Sequence, residues 1–201
     1  MSTQLYFIYD SHCPWSYAAT QLISAVNDEL PNVKVHFLHS GMFDGDNKVD
    51  RKTVDTVTEL SNQTFAAAYL EELPKTKDST LAANLMAWSQ AKCAQKSLRI
   101  LQSLQEQHFQ HGNPLETADD VADIIADLKL SAPTKVLQSE KFSKEAEYQL
   151  ADIEEIQEII GTRAIPALLL AHEDDLVLLN HNLYLLEPTA IVEAIQQEMN
   201  A

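Results

Sequence analysis

Apolar and polar positions alternate between two periods along this chain, and the change of period marks its elements. Leu5-Tyr6-Phe7-Ile8-Tyr9 is a short run of aromatic and β-branched residues, the signature of a buried strand. Leu22, Ile23, Val26 and Leu30 then recur at helical spacing. Val33 to Leu38 returns to a strand-like pattern after a turn at Pro31-Asn32. Strand, helix and strand with short joins predict a parallel pair with a right-handed crossover. From about Asp50 to Gly161 no strand is evident, and helical patterns follow in series. They run through Val54-Val57-Leu60, Phe65-Tyr69-Leu73 up to Pro74, and a segment capped by Asp78 or Ser79. They continue through Leu98 to Phe109 ending near Gly112, Val121 to Leu128, and Phe142 to Ile160. Ala167 to Ala171 and Leu176 to Leu179 are two apolar runs joined by Glu173-Asp174-Asp175, which predicts a hairpin. A last helix starts near Glu187-Pro188-Thr189 and carries Ile191, Val192, Ile195 and Met199.

The order is β-α-β, helices, β-β-α. It predicts an α/β protein, a thioredoxin fold with a large all-helical insertion, since a stretch of about 100 residues exceeds what any crossover needs. The expected division is 1–45 with 158–201 as the thioredoxin-like domain and 46–157 as the inserted helical domain. Asp44-Gly45-Asp46-Asn47 reads as a solvated loop, because its acidic spacing and missing bidentate glutamate do not fit a calcium loop.

Chemistry concentrates at Cys13-Pro14-Trp15-Ser16, where the first strand hands over to its helix. Pro14 suits the first helical position, where its missing N–H costs nothing, so Cys13 falls at the helix N-terminal end. Unpaired N–H groups and the positive end of the helix dipole favour an anion there. The expectation is a thiol shifted toward its thiolate, the nucleophilic form. Ser16 stands where a Cys-x-x-Cys pair would place the resolving thiol. A hydroxyl can hydrogen-bond the thiolate but cannot form a disulfide, which points to a single-cysteine nucleophile. Taken alone, Cys13 could equally be an ordinary small buried residue at a helix start.

Tyr9-Asp10 followed by Cys13-Pro14-Trp15-Ser16-Tyr17 resembles the active-site turn of the DsbA-like thioredoxin-fold family, in the branch that often reads Cys-Pro-Trp-Cys-Tyr. Gly161-Thr162-Arg163-Ala164-Ile165-Pro166-Ala167 resembles that family's Gly-Val-Pro-Thr segment, whose proline is cis and faces the cysteine. The resemblance covers nearly the whole chain. FrnE-like proteins, kappa-class glutathione transferases and 2-hydroxychromene-2-carboxylate isomerases share the superfamily, and the last two commonly carry serine where this chain has Cys13. Ser16 departs from the two-thiol pattern, and Ala164 and Ala167 depart from the family's glycine and threonine.

The resemblance implies a thiol–disulfide oxidoreductase, of protein disulfide isomerase type, with Cys13 and Ser16 as catalytic residues. Pro14, Trp15, Ile165 and Pro166 would bind substrate, the backbone of Ile165 pairing with an extended peptide or glutathione as a sheet edge does. The alternatives are a glutathione-dependent transferase or isomerase and a redox-silent peptide-binding module. No tightly bound cofactor is expected; glutathione would serve as co-substrate, and the partner would be a thiol or disulfide.

Accessory candidates carry plainer readings beside the functional ones. His12 reads as an exposed loop histidine, its alternative being an imidazolium that steadies the thiolate. Asp10 reads as a hydrogen-bonding turn residue, with proton transfer the weaker option. Arg163 reads as a solvated loop arginine that could instead pair with a glutathione carboxylate. Cys93 reads as packing within a helix.

Composition narrows the function classes. Hydrophobic residues make up 45% of 201 positions, in the range of a folded core. A formal net charge of −16 disfavours nucleic acid and anionic membrane surfaces as partners. Two cysteines are too few for a disulfide scaffold or a cysteine zinc site, and the seven histidines show no zinc-ligand spacing, so no metal is expected. The N-terminal run does not read as a signal peptide and no stretch is long enough to span a bilayer. A reducing cytoplasm is the expected location.

Overall fold

The computed structural model describes residues 3–131 and 134–200. Its main sheet has four strands: β1 (Gln4–Tyr9), β2 (Lys34–His39), β5 (Ala167–His172) and β6 (Asp175–Leu179), in the order β2-β1-β5-β6. β1 and β2 are parallel, with Phe7 opposite Phe37, as the short crossover through α1 (Pro14–Glu29) requires. β5 runs antiparallel to β1 and to β6, so the hairpin expected at Glu173 is present.

Alternation along the strands sorts the core onto two faces. Leu5, Phe7 and Tyr9 point with Leu168 and Leu170 toward α1 and α8 (Ala190–Glu198), where Leu22, Ile23, Val26, Ile191 and Ile195 close the layer. Ile8, Leu38 and Ala167 point the other way, onto Ile153 of α7 (Lys144–Ile160). Each buried aliphatic or aromatic side chain contributes about 1.5–3 kcal/mol relative to exposure.

Between β2 and β5 the chain forms β3 (Asp44–Asn47), α2 (Arg51–Leu60), α3 (Ala67–Glu72), β4 (Lys77–Asp78), α4 (Thr80–Lys92), α5 (Ser97–His111), α6 (Ala122–Asp127) and then α7. The segment Asp44–Asn47 is solvated but pairs antiparallel with β4, so it is an edge ribbon rather than a loop, and one strand does lie between Asp50 and Gly161. Two residues carry no periodicity, and hence no sequence signal. The last helix also begins later than expected, at Ala190 with Thr189 as its cap, leaving Pro188 in the preceding turn.

Caps and turns place the helices that matter for the site. Asp50 caps α2 by accepting from the Thr53 N–H, and Ser143 caps α7 through the Ala146 N–H. α5 ends at Gly112, whose φ of +70° suits glycine; a Cβ there would also lie 2.8 Å from the Ala68 carbonyl oxygen. That close approach lets α3 press against α5 and leads the chain to Pro114, whose carbonyl accepts from His12 in the turn before α1.

Candidate functional site

Cys13 is the N-cap of α1, with extended backbone angles, and Pro14 takes the first helical position. Its amide donates to the Asp10 carbonyl at 3.1 Å and its carbonyl accepts from the Tyr17 N–H at 3.0 Å, so the turn is fixed on both sides. The side chain is 6% exposed and opens onto a cleft of about 420 Å³. Pro14 and Trp15 form one wall, and Arg163, Ala164 and Ile165 another. Phe43 and Val49, from the segment leading into α2, and Thr53 in its first turn complete the enclosure. Segments 150 residues apart in sequence thus meet at one sulfur. The Ile165–Pro166 peptide is cis. Pro166 itself is buried behind Ile165 and lines a separate apolar hollow, so of the two residues only Ile165 touches the Cys13 cleft.

The N–H and hydroxyl of Ser16 and the N–H of Trp15 favour the charged form of the sulfur, although the Cys13 side chain makes no capping hydrogen bond to α1. Ser16 is fully buried, and its oxygen also accepts from the Asp10 N–H at 3.2 Å. The expectation of a lowered thiol pKa is nonetheless overturned. Burial pushes the Cys13 thiol above its ordinary value, further raised by the Asp10 carboxylate, and the Ser16 and Trp15 donors only partly offset this. The dipole reasoning counted donors close in sequence. It missed Phe43 and Val49, which strip water from the thiol and come from a distant segment.

His12 is the second correction. It is not an exposed loop residue: it is fully buried, its Nε2–H donating to the Pro114 carbonyl at 2.9 Å and its Nδ1 lying 3.0 Å from the Ser11 hydroxyl. Desolvation lowers its pKa, so the ring is neutral at neutral pH and supplies no cation to the sulfur. His39 and His108 behave alike; burial takes His39 down to about 4 and His108 well below its ordinary value. The approaches of His12 and His39 to Asp10, at 3.8 and 4.0 Å, are therefore not ion pairs at neutral pH.

Asp10 does more than stabilise its own turn. Its carboxylate accepts from the His12 N–H at 2.9 Å, from the Met42 N–H at 2.7 Å and from the Ser79 hydroxyl at 2.7 Å. The Ser79 hydroxyl, expected to cap α4, is spent on this bond instead. One buried carboxylate thereby ties the turn before Cys13 to the cleft wall at Met42–Phe43 and to the start of α4. Arg163 is exposed and lines the cleft, as a solvated arginine beside the site.

Sequence reasoning missed Phe43, Val49, Lys48, Asp50 and Thr53 on the cleft wall, and His39, Ser79 and Pro114 beneath it. None lies within a motif, and only the tertiary fold gathers them. Cys93 is at the C-terminal cap of α4, half-buried against the core, and both thiols are free. Among the described residues no group of three or more His, Cys, Asp or Glu side chains is placed to hold a metal ion. Among the described residues no helix is long and apolar enough to cross a membrane.

A sheet ordered β2-β1-β5-β6, a thiol at the start of the first helix and a cis-proline loop facing it define a thioredoxin-like fold, here with a helical insertion. No family model and no curated protein matches the chain. Solved structures do. The cytosolic disulfide reductase DsbM from Pseudomonas aeruginosa superposes with a TM-score of 0.81 at 21% identity, over 97% of this chain and 99% of that one. The same protein with GSH gives 0.80 at 20% identity, over 98% and 100%. A Nitrosomonas europaea protein, provisionally described as a protein disulfide isomerase, gives 0.75 at 16% identity, over 98% and 99%. Identities this low establish a shared fold.

Proposed function

We propose that this protein is a thiol–disulfide oxidoreductase that works through one nucleophilic cysteine. The observation that carries the reading is Cys13, placed as the N-cap of α1 and facing Ile165 across an open cleft. The Cys13 thiolate attacks one sulfur of a substrate disulfide, forms the mixed disulfide and releases the other sulfur as a thiolate. Ser16 and the Trp15 N–H hydrogen-bond the Cys13 sulfur while it is charged. Ile165 offers its backbone to an extended substrate, and Trp15 its apolar face. With no second thiol at Ser16, an external thiol such as glutathione attacks the mixed disulfide and regenerates Cys13. A second glutathione reduces the disulfide so formed, so two electrons pass from two glutathiones to the substrate.

The buried environment favours this reductive direction. A thiol raised by desolvation is the stronger nucleophile once ionised and the poorer leaving group. The mixed disulfide carries no charge on that sulfur and escapes the desolvation penalty. A strongly oxidising site needs the reverse, a low-pKa thiol that leaves readily. The DsbM neighbour with GSH bound supports glutathione as the releasing thiol, and its description as cytosolic supports a reducing compartment. The test is turnover of a glutathione-linked peptide disulfide with excess glutathione, followed for wild type and Cys13→Ser. Turnover that depends on Cys13 supports the reading; turnover retained by the serine variant overturns it in favour of a glutathione transferase or isomerase.

A further inference from the structure

The four-stranded sheet has two edges, and the chain treats them differently. At β2 the outer edge is sealed: the Phe37 N–H donates to Gln90 Oε1 of α4 at 3.3 Å, and Gln149 Nε2 of α7 donates to the Phe37 carbonyl at 3.4 Å. At the other end β6 pairs with β5 alone. An open strand edge invites another chain to pair with it, and proteins ordinarily guard it with lysine, proline or a bulge. β6 reads Asp-Leu-Val-Leu-Leu, with no lysine and no proline, and its register with β5 runs unbroken from Asp175 to Leu179. Among the described residues no side chain bonds its backbone as Gln90 and Gln149 bond that of β2.

The turn fixes which groups face outward. His172 and Asp175 close a two-residue loop, so that pair exchanges its hydrogen bonds, and Val177 and Leu179 do likewise with β5. Leu176 and Leu178 therefore turn their N–H and C=O groups to the open edge. Their side chains lie beyond the cover of α7 and are 53% and 46% exposed, whereas Val177 and Leu179 point to the opposite face and into the core. Leu176-Val177-Leu178 reads the same in both directions. A second copy laid antiparallel about a two-fold axis through Val177 puts each Leu176 opposite a Leu178, in two hydrogen-bonded pairs with all four leucines on one face. Asp175 then faces Leu179 rather than a second Asp175. Further along the same register, Asn180 and His181 come opposite Asp174 and Glu173 of the second copy. Asn180 accepts the Asn182 N–H at its amide oxygen, which leaves its amide nitrogen to donate to a carboxylate. A chain of net charge −16 repels its own copy, and this join is one at which the nearby carboxylates meet donors.

We propose that two copies of this chain associate through β6, antiparallel about Val177, so that two four-stranded sheets join into one. The Cys13 cleft includes no residue of β6, so both clefts stay open and the inference does not rest on the thiol chemistry. The test is sedimentation equilibrium of the full chain over a concentration series. Wild type shows a monomer–dimer equilibrium. Leu178→Lys, at an exposed position, places an ammonium where the leucines meet and weakens dimerisation by about tenfold or more. Leu176→Pro removes an outward N–H that β5 does not use and has the same effect. The register is read separately, in a Cys13→Ser, Cys93→Ser background. There Val177→Cys brings two sulfurs together at the axis, where facing Cα atoms lie about 4.5 Å apart, and oxidation with diamide yields a disulfide-linked dimer. A wild type that is monomeric throughout the series, or a dimer that both edge variants leave unchanged, overturns the proposal, as does a Val177→Cys chain that stays unlinked.

Discussion

The chain has two thiols, and burial raises the pKa of both. What separates them is what the backbone offers the sulfur. Cys13 begins a helix, where N–H groups point outward, and the neighbouring Ser16 and Trp15 groups favour its thiolate. Cys93 ends one, where carbonyls point outward; its own amide is spent on the Ser89 carbonyl at 2.8 Å, and only the Lys96 ammonium favours its thiolate. Cys13 is the more deeply buried of the two, yet it lines an open cleft.

Substitution gives the largest contrast. Cys13→Ser is expected to reduce disulfide exchange to background, measured as glutathione-dependent turnover, whereas Cys93→Ser leaves it unchanged. Next comes the buried network that holds only the first thiol in place. Asp10→Ala leaves the His12 and Met42 amides and the Ser79 hydroxyl without their acceptor, and is expected to cost about 3 kcal/mol in denaturant unfolding.

Acid should weaken the same network by a similar amount. His39 is held near 4 when folded, below its ordinary 6.5, so the unfolded chain binds the extra proton more tightly. Its contribution is present above pH 6.5 and lost as pH falls through about 4, a swing of about 3 kcal/mol. Melting temperatures across that window should fall for wild type and fall less for His39→Gln. Ser16→Ala has a smaller effect, about 1–2 kcal/mol, because it removes the acceptor of the Asp10 N–H. It also removes a hydroxyl that favours the charged sulfur, so the Cys13 thiol should ionise at still higher pH, read from the pH profile of alkylation. Smallest of all, Cys93→Ser should change stability by less than about 1 kcal/mol, since the thiol is half-buried and makes no bond that serine cannot.

The difference between the two thiols was partly legible in the chain itself. The aromatic run at Leu5–Tyr9, Pro14 after the cysteine and the helical spacing of Leu22 to Val26 placed Cys13 at a strand-to-helix junction. Gly161 to Ala167 supplied the facing loop. Those signals are local, and the fold assembled them as their patterns required. What could not be read was burial by distant segments. His12 follows Asp10 and Ser11 in a turn and reads as surface, yet Pro114 covers it from 102 residues away. Phe43 and Val49 lie beside a run of aspartates and read as loop, yet they pack around the thiol and line its cleft. The thiol pKa reversed direction for that reason: helix-start donors are visible from neighbouring residues, and desolvation is not.

Incubation with oxidised glutathione, followed by mass spectrometry of the intact protein and its peptides, tests the asymmetry most directly. A single glutathionyl group on Cys13, with Cys93 unmodified and no adduct on Cys13→Ser, is the expected result. An adduct confined to Cys93, or a disulfide joining Cys13 to Cys93, would contradict it.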